Sequence, residues 1–125
     1  MLNILLAEDD RNFGIVMKSE LEEEAYTVDL VNDGVEAVLY FIDNSYDFVL
    51  IDFKMPKLDG ISALRIIKKI KPHVPAIILS GNAGYSETDE LSEAGGIKFL
   101  SKPFEITELK DCIKEHFRNL HRSSF

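Results

Sequence analysis

Residues 48–60 read Phe48-Val49-Leu50-Ile51-Asp52-Phe53-Lys54-Met55-Pro56-Lys57-Leu58-Asp59-Gly60. An apolar run stops on a carboxylate, a loop forms around Pro56, and an Asp-Gly pair opens a helical pattern. An unbroken apolar run of this length suits a strand buried on both faces of a parallel sheet. In open parallel sheets, ligands gather outside the carboxyl ends of the strands, which is where Asp52 falls. A lone strand-end aspartate is better explained as a loop cap. Matching chemistry at other strand ends is what raises Asp52 above that reading.

Outward from this stretch, strands and helices alternate five times. Strand 3–7 stops at Glu8-Asp9-Asp10, and Asp9 or Asp10 caps a helix running to about residue 24, with Phe13, Met17 and Leu21 on one face. The second strand, 26–31, turns at Asn32-Asp33-Gly34 into a helix with Ala37, Val38, Phe41 and Ile42 inward. After the third strand, 48–51, a helix from about residue 61 buries Leu64, Ile67 and Ile70. Lys68, Lys69 and Lys71 suit the negative end of its dipole, and Pro72 stops it. The fourth strand, 75–79, ends on Ser80-Gly81. Ser86-Glu87-Thr88-Asp89 resembles a capping box for a short helix over 86–94, stopped by Gly95-Gly96. The fifth strand, 97–100, ends at Ser101-Lys102-Pro103, and the last helix buries Ile106, Leu109, Cys112 or Ile113, Phe117 and Leu120. Such an order predicts an α/β fold: a parallel sheet with right-handed crossovers and helices on both faces.

Composition bounds the function. The 125 residues make one domain, and 46% hydrophobic with 29% charged residues is ordinary for a globular chain. A formal net charge of −8 argues against nonspecific nucleic-acid binding. The single cysteine, Cys112, excludes an internal disulfide framework, fits a reducing cytosol, and belongs to the packed face of the last helix. No apolar run approaches the ~18 residues that span a bilayer. The N-terminus turns acidic at once and has no basic n-region, so it does not read as a signal peptide. The expectation is a cytoplasmic chain with no membrane partner. His73, His116 and His121 have no partner at metal-ligand spacing and read as solvated or edge positions.

The strand ends supply Glu8 and Asp9, then Asp52, then Ser80, then Lys102. Three clustered carboxylates raise each other's pKa unless a cation joins them. Oxygen-only ligands favour a hard ion such as magnesium. A nucleophilic carboxylate, a hydroxyl and an ammonium beside that ion suit phosphoryl transfer. Each residue has a plain alternative as cap, turn or surface charge; together, each at a strand end, they point to one site.

These features resemble the receiver domain of two-component response regulators, including single-domain chemotaxis-type regulators. The resemblance rests on Glu8-Asp9, on Asp52-x-x-Met55-Pro56-x-x-Asp59-Gly60, on Ser80-Gly81 and on Lys102-Pro103-Phe104, and it covers about residues 2–120. It implies a flavodoxin-like, doubly wound (βα)5 three-layer sandwich with strand order 2-1-3-4-5 over residues 1–121. Residues 122–125 read as a polar tail or the start of a linker. By the same resemblance, Asp52 is the phosphoacceptor, and Mg2+ (or Mn2+) is held by Glu8, Asp9, Asp52 and the main-chain carbonyl of Lys54. Ser80 and Lys102 contact the phosphoryl group, and the Lys102–Pro103 bond is cis. Phe99 holds the switch-aromatic position, while Lys54 and Asn82 flank the path of hydrolytic water and tune phosphoryl lifetime. Glu8 stands where an aspartate is commoner, and Phe99 where tyrosine is frequent.

The implied function is a signalling phosphoacceptor rather than an enzyme, one that assists its own phosphotransfer and autodephosphorylation. The donor is a histidine kinase or phosphotransfer protein. The output is a downstream partner or domain, or a homodimer through the 86–94 helix, the fifth strand and the last helix. A metabolic aspartyl-phosphate phosphatase fits poorly, since Lys54 stands where such enzymes carry a second aspartate. A flavin carrier would need a Ser/Thr/Gly-rich phosphate loop in place of Glu8-Asp9-Asp10.

Overall fold

The computed structural model describes residues 2–81 and 98–123. In chain order the elements are β1 (Asn3–Ala7), α1 (Arg11–Glu22), β2 (Thr27–Val31), α2 (Gly34–Asp43), β3 (Phe48–Asp52), α3 (Gly60–Ile70), β4 (Ala76–Ser80), β5 (Lys98–Ser101) and α4 (Ile106–Ser123). The strands form one parallel sheet in the order β2-β1-β3-β4-β5. This is the flavodoxin-like arrangement expected from the sequence. Four earlier expectations lie outside the described residues: the helix over 86–94 with its Gly95-Gly96 stop, Asn82, residue 97 of the fifth strand, and the side chains of Leu120 and His121.

Alternation along the strands sends side chains to two cores. Leu5, Ala7, Val49, Ile51, Ala76 and Ile78 pack under α2 and α3. Ile4, Leu6, Phe48, Leu50, Ile77 and Leu79 pack under Met17 and Leu21 of α1 and Leu109 and Ile113 of α4. Every residue of β3 and β4 is buried, as a central strand covered on both faces requires. Cys112 joins the second core as a partly buried side chain, together with Ile106 and Phe117.

Capping follows the acidic residues closely. Asp10, and not Asp9, caps α1, its Oδ1 accepting from the Phe13 amide at 3.1 Å. Asp33 caps α2, and Glu36 reaches back to the Asn32 amide at 2.9 Å, a near-reciprocal box. Asp59 caps α3 by accepting from both the amide and the hydroxyl of Ser62.

Three assignments need correction, two inward and one outward. Ile42 is 58% exposed and Ile70 is 47% exposed. Helix α2 is apolar around most of its circumference, so periodicity alone does not select a face; Gly34, Ala37 and Phe41 take it and Ile42 falls on the flank. In α3 the buried row is Gly60, Ala63, Leu64 and Ile67, and Ile70 lies off that row. His116 is neither solvated nor at an edge: its ring packs 5.6 Å from Phe48 and 5.4 Å from Phe117, and burial pushes its pKa down. His73 is exposed, as expected.

The loop from β3 to α3 is tightly folded. The Leu58 amide donates to the Pro56 carbonyl at 2.8 Å, with Lys57 at a φ of 69° between them. This is a γ-turn of the rare, strained hand. The turn drops Gly60 onto β3, where its amide donates to the Phe53 carbonyl at 2.8 Å. A Cβ on Gly60 would sit 2.0 Å from the Asp52 carbonyl oxygen, so only glycine permits the approach. Gly60→Ala is therefore expected to destabilise the fold by about 2–4 kcal/mol, read as a lowered urea midpoint at unchanged m-value. A loss near zero would show that the loop can lift away from Asp52.

Candidate functional site

Sheet register brings the strand-end residues to one rim. Ala7 pairs with Ile51, Asp52 with Leu79, and Ser80 with Ser101. The ladders then extend one residue further. The Glu8 amide donates to the Val31 carbonyl at 3.0 Å, Phe53 to Leu79 at 2.7 Å, and Lys102 to Ser80 at 2.7 Å. Glu8, Asp52, Ser80 and Lys102 are thus fixed by main-chain bonds at the carboxyl ends of four neighbouring strands. The Lys102–Pro103 peptide is cis, as the sequence resemblance implied.

The side chains converge. Glu8 is fully buried, Asp52 is 5% and Ser80 2% exposed, while Asp9 stands open to solvent. One oxygen from each of Glu8, Asp9 and Asp52 lies within 4.8 Å of the others. Lys102 Nζ sits 2.8 Å from Glu8 Oε1 and 3.2 Å from Asp52 Oδ1. The other Glu8 oxygen accepts from the Asp10 amide at 3.0 Å, so the longer glutamate arm binds both the lysine and the start of α1. A cleft of about 360 Å3 opens beside these groups, lined by Asp9, Asp52, Phe53, Lys54, Ser80, Gly81 and Lys102. Lys54 is exposed at its lip.

Electrostatics follow from this crowding. Burial, and then the neighbouring Glu8 carboxylate, push the Asp52 carboxyl up to about 8; Lys102 opposes the shift without cancelling it. For Lys102, burial pulls the pKa down, but the hydrogen bond to Glu8 and the Asp52 charge outweigh it and hold the ammonium above its ordinary range. One lysine does not neutralise three clustered carboxylates. The cluster therefore has room, electrostatically, for a second cation.

The donor set fits magnesium. Octahedral Mg2+ holds oxygens at about 2.1 Å, which places opposite ligands about 4.2 Å apart. The carboxylate oxygens already lie within 4.8 Å of each other, so small rotations suffice. Bound there, the ion would supply positive charge against phosphoryl oxygens.

One contact was missed in the sequence. The Phe13 ring lies under the Lys102 ammonium, 5.3 Å from its centroid, and Phe104 meets that ring edge-on at 5.7 Å. Helical periodicity alone places Phe13 only on the packed face of α1. Its place in the first turn after the acidic cluster was the available signal. Phe99 is partly buried against the core beneath α2 and α3.

A doubly wound α/β domain whose strand ends gather three carboxylates, a hydroxyl and an amine is of the phosphoacceptor class used in signalling. The chain belongs to the response regulator receiver domain family, whose model matches residues 4–114. It is 32% identical over 119 residues to the transcriptional regulatory protein RprY of Bacteroides fragilis, covering 95% of this chain and 50% of that protein. The chain therefore spans about half the length of that relative. Among solved structures it is similar to the receiver domain of the sensor histidine kinase PA1611 from Pseudomonas aeruginosa PAO1, which has a magnesium ion coordinated in its active site cleft. That match has a TM-score of 0.84 and 35% identity, covering 91% of this chain and 95% of that one. The response regulator TrrA from Thermotoga maritima, in complex with Mg(2+)-BeF, matches with a TM-score of 0.84 and 32% identity over 92% of this chain and 98% of that one. No described helix is long and apolar enough to cross a membrane.

The raised Asp52 pKa sets a pH dependence with a definite sign. Without metal, its contribution to stability is full below the ordinary carboxyl range and is lost as pH rises through about 8. A cation held by this cluster would need the carboxylate, so Mg2+ affinity is expected to tighten as pH rises toward about 8, by up to roughly tenfold per unit, and then to level off. Mg2+ titrations followed by NMR at several pH values check this. Asp52→Asn should flatten the profile, and an equally steep profile in that variant would assign the proton elsewhere.

Proposed function

We propose that Asp52 is the phosphoacceptor of this receiver domain and takes its phosphoryl group from a phosphohistidine on a histidine kinase or phosphotransfer protein. The single observation behind this reading is the placement of Asp52. It is a nearly buried nucleophile at the end of β3, beside Lys102 at 3.2 Å and within one carboxylate cluster with Glu8 and Asp9. An Asp52 oxygen attacks phosphorus, the P–N bond breaks, and its electron pair stays on the imidazole nitrogen, which takes up a proton. Lys102 pairs with a phosphoryl oxygen, and the Ser80 hydroxyl donates to another. Glu8, Asp9, Asp52 and the Lys54 carbonyl would hold Mg2+, for which Mn2+ is a substitute with the same oxygen preference.

Both Glu8 and Asp52 now draw on the same ammonium. Phosphorylation moves negative charge outward from Asp52, so Lys102 is pulled from Glu8 toward the phosphoryl group. Ser80 and Phe99 carry that change toward the output surface, which includes the 86–94 segment, β5 and α4, and serves a downstream partner, an output domain or a homodimer. Lys54 and Asn82 set how long the acyl phosphate lasts before autodephosphorylation. The location consistent with these partners is the cytoplasm.

Asp52→Asn is expected to abolish Mg2+-dependent labelling by a small phosphodonor, measured by intact-protein mass spectrometry. An undiminished phosphorylated fraction would sink the assignment. Asp9→Ala should weaken Mg2+ binding by about tenfold or more through loss of a ligand and its charge. Lys54→Ala should shorten the phosphoryl half-life, because a long cation at the lip of the cleft hinders in-line water; an unchanged or longer half-life rejects that role.

A further inference from the structure

The outer groove between α2 and α3 is apolar where a surface should be polar. Ala37 and Phe41 turn one side of α2 into the core, and Ala63, Leu64 and Ile67 do the same for α3. Both sets join one core cluster, so the helices lie side by side on the same face of the sheet. Given right-handed crossovers and 3.6 residues per turn, Val35, Leu39 and Ile42 fall on the flank of α2 turned to α3. Ile66 and Ile70 fall on the flank of α3 turned to α2. These side chains are 41%, 54%, 58%, 40% and 47% exposed, respectively. Together they present on the order of 450 Å2, within the range of the largest apolar patch of a monomer, which is often functional.

The charges beside the groove identify its occupant. Asp43 ends α2 and Lys69 lies in the last turn of α3; both are exposed, and neither forms an ion pair among the described residues. A two-fold axis along the groove lays α2 of one copy on α3 of a second, with the helices running the same way. Asp43 then meets Lys69 of the second copy, and the symmetry repeats the pair. The net charge of −8 opposes association of identical chains, so opposite charges in register are what a self-pairing surface needs. The apolar side chains alone make up about half of the ~800 Å2 per partner of a standard-size interface, and polar residues of both helices border them.

We propose that this groove is a self-association surface, through which two copies pair by α2 and α3 in a parallel, isologous contact. It uses elements other than the 86–94 segment, β5 and α4, and it does not depend on the phosphoryl chemistry.

Sedimentation velocity over a concentration series tests this. Wild-type protein is expected to show a monomer–dimer equilibrium, weakened about tenfold or more by Leu39→Glu. Asp43→Lys and Lys69→Glu should each weaken it, and the double swap should restore it. Circular dichroism and intact Asp52 labelling establish that the variants fold, since all three positions are exposed and outside the cleft. A chain that stays monomeric at the highest attainable concentration leaves the groove to a different protein and overturns the proposal. So does a dimer indifferent to Leu39→Glu. A double swap that fails to restore pairing overturns the parallel arrangement.

Discussion

Two nearly buried carboxylates, Glu8 and Asp52, share one ammonium. Everything else at the rim answers that constraint. Moving a carboxylate out of water is costly unless it is paired and hydrogen-bonded. Glu8 meets the condition fully, with Lys102 on one oxygen and the Asp10 amide on the other. Asp52 meets it only in part, and its raised pKa is the measure of the shortfall. A site held this way is electrostatically incomplete, which is the property the proposed metal and phosphoryl chemistry would use.

The fold holds that tension through main-chain bonds. Parallel strands end level because their register is uninterrupted, and the three ladder extensions beyond Ala7, Asp52 and Ser101 fix the backbone beneath each acidic or basic group. The γ-turn at Lys57 and the contact of Gly60 with the Asp52 carbonyl close the loop over the strand. Strain stored beside a functional residue persists only where neighbours over-determine it, and here Asp59 capping and the Gly60–Phe53 bond do so. Phe13 adds a side-chain constraint by seating the lysine stem and head over its ring.

Much of this was legible in the residues themselves. Apolar runs ended by Asp52, Ser80 and Lys102 gave both the strand pattern and the place of the candidate site, because in a parallel sheet the two coincide. Sequence pattern failed where a helix lacks a polar face: Val35, Leu39 and Ile42 carry no sign of which side is inward. It also failed where tertiary contacts decide, as for His116, whose aromatic neighbours come from β3 and from α4 itself. The cation–ring contact of Phe13 with Lys102 joins residues far apart in the chain, and no local periodicity announces it.

The bond between Lys102 and Glu8 spans 94 positions of sequence. That separation has a kinetic consequence. Loop closure disfavours joining residues so far apart, and docking of the intervening strands shortens the loop that has to close. Until residue 102 has left the ribosome, the acidic cluster on the first three strands is without its lysine. A nascent chain at that stage has the rim's carboxylates without the ammonium that bridges Glu8 and Asp52. The bridge between Glu8 and Lys102 therefore cannot close before the fifth strand has been made.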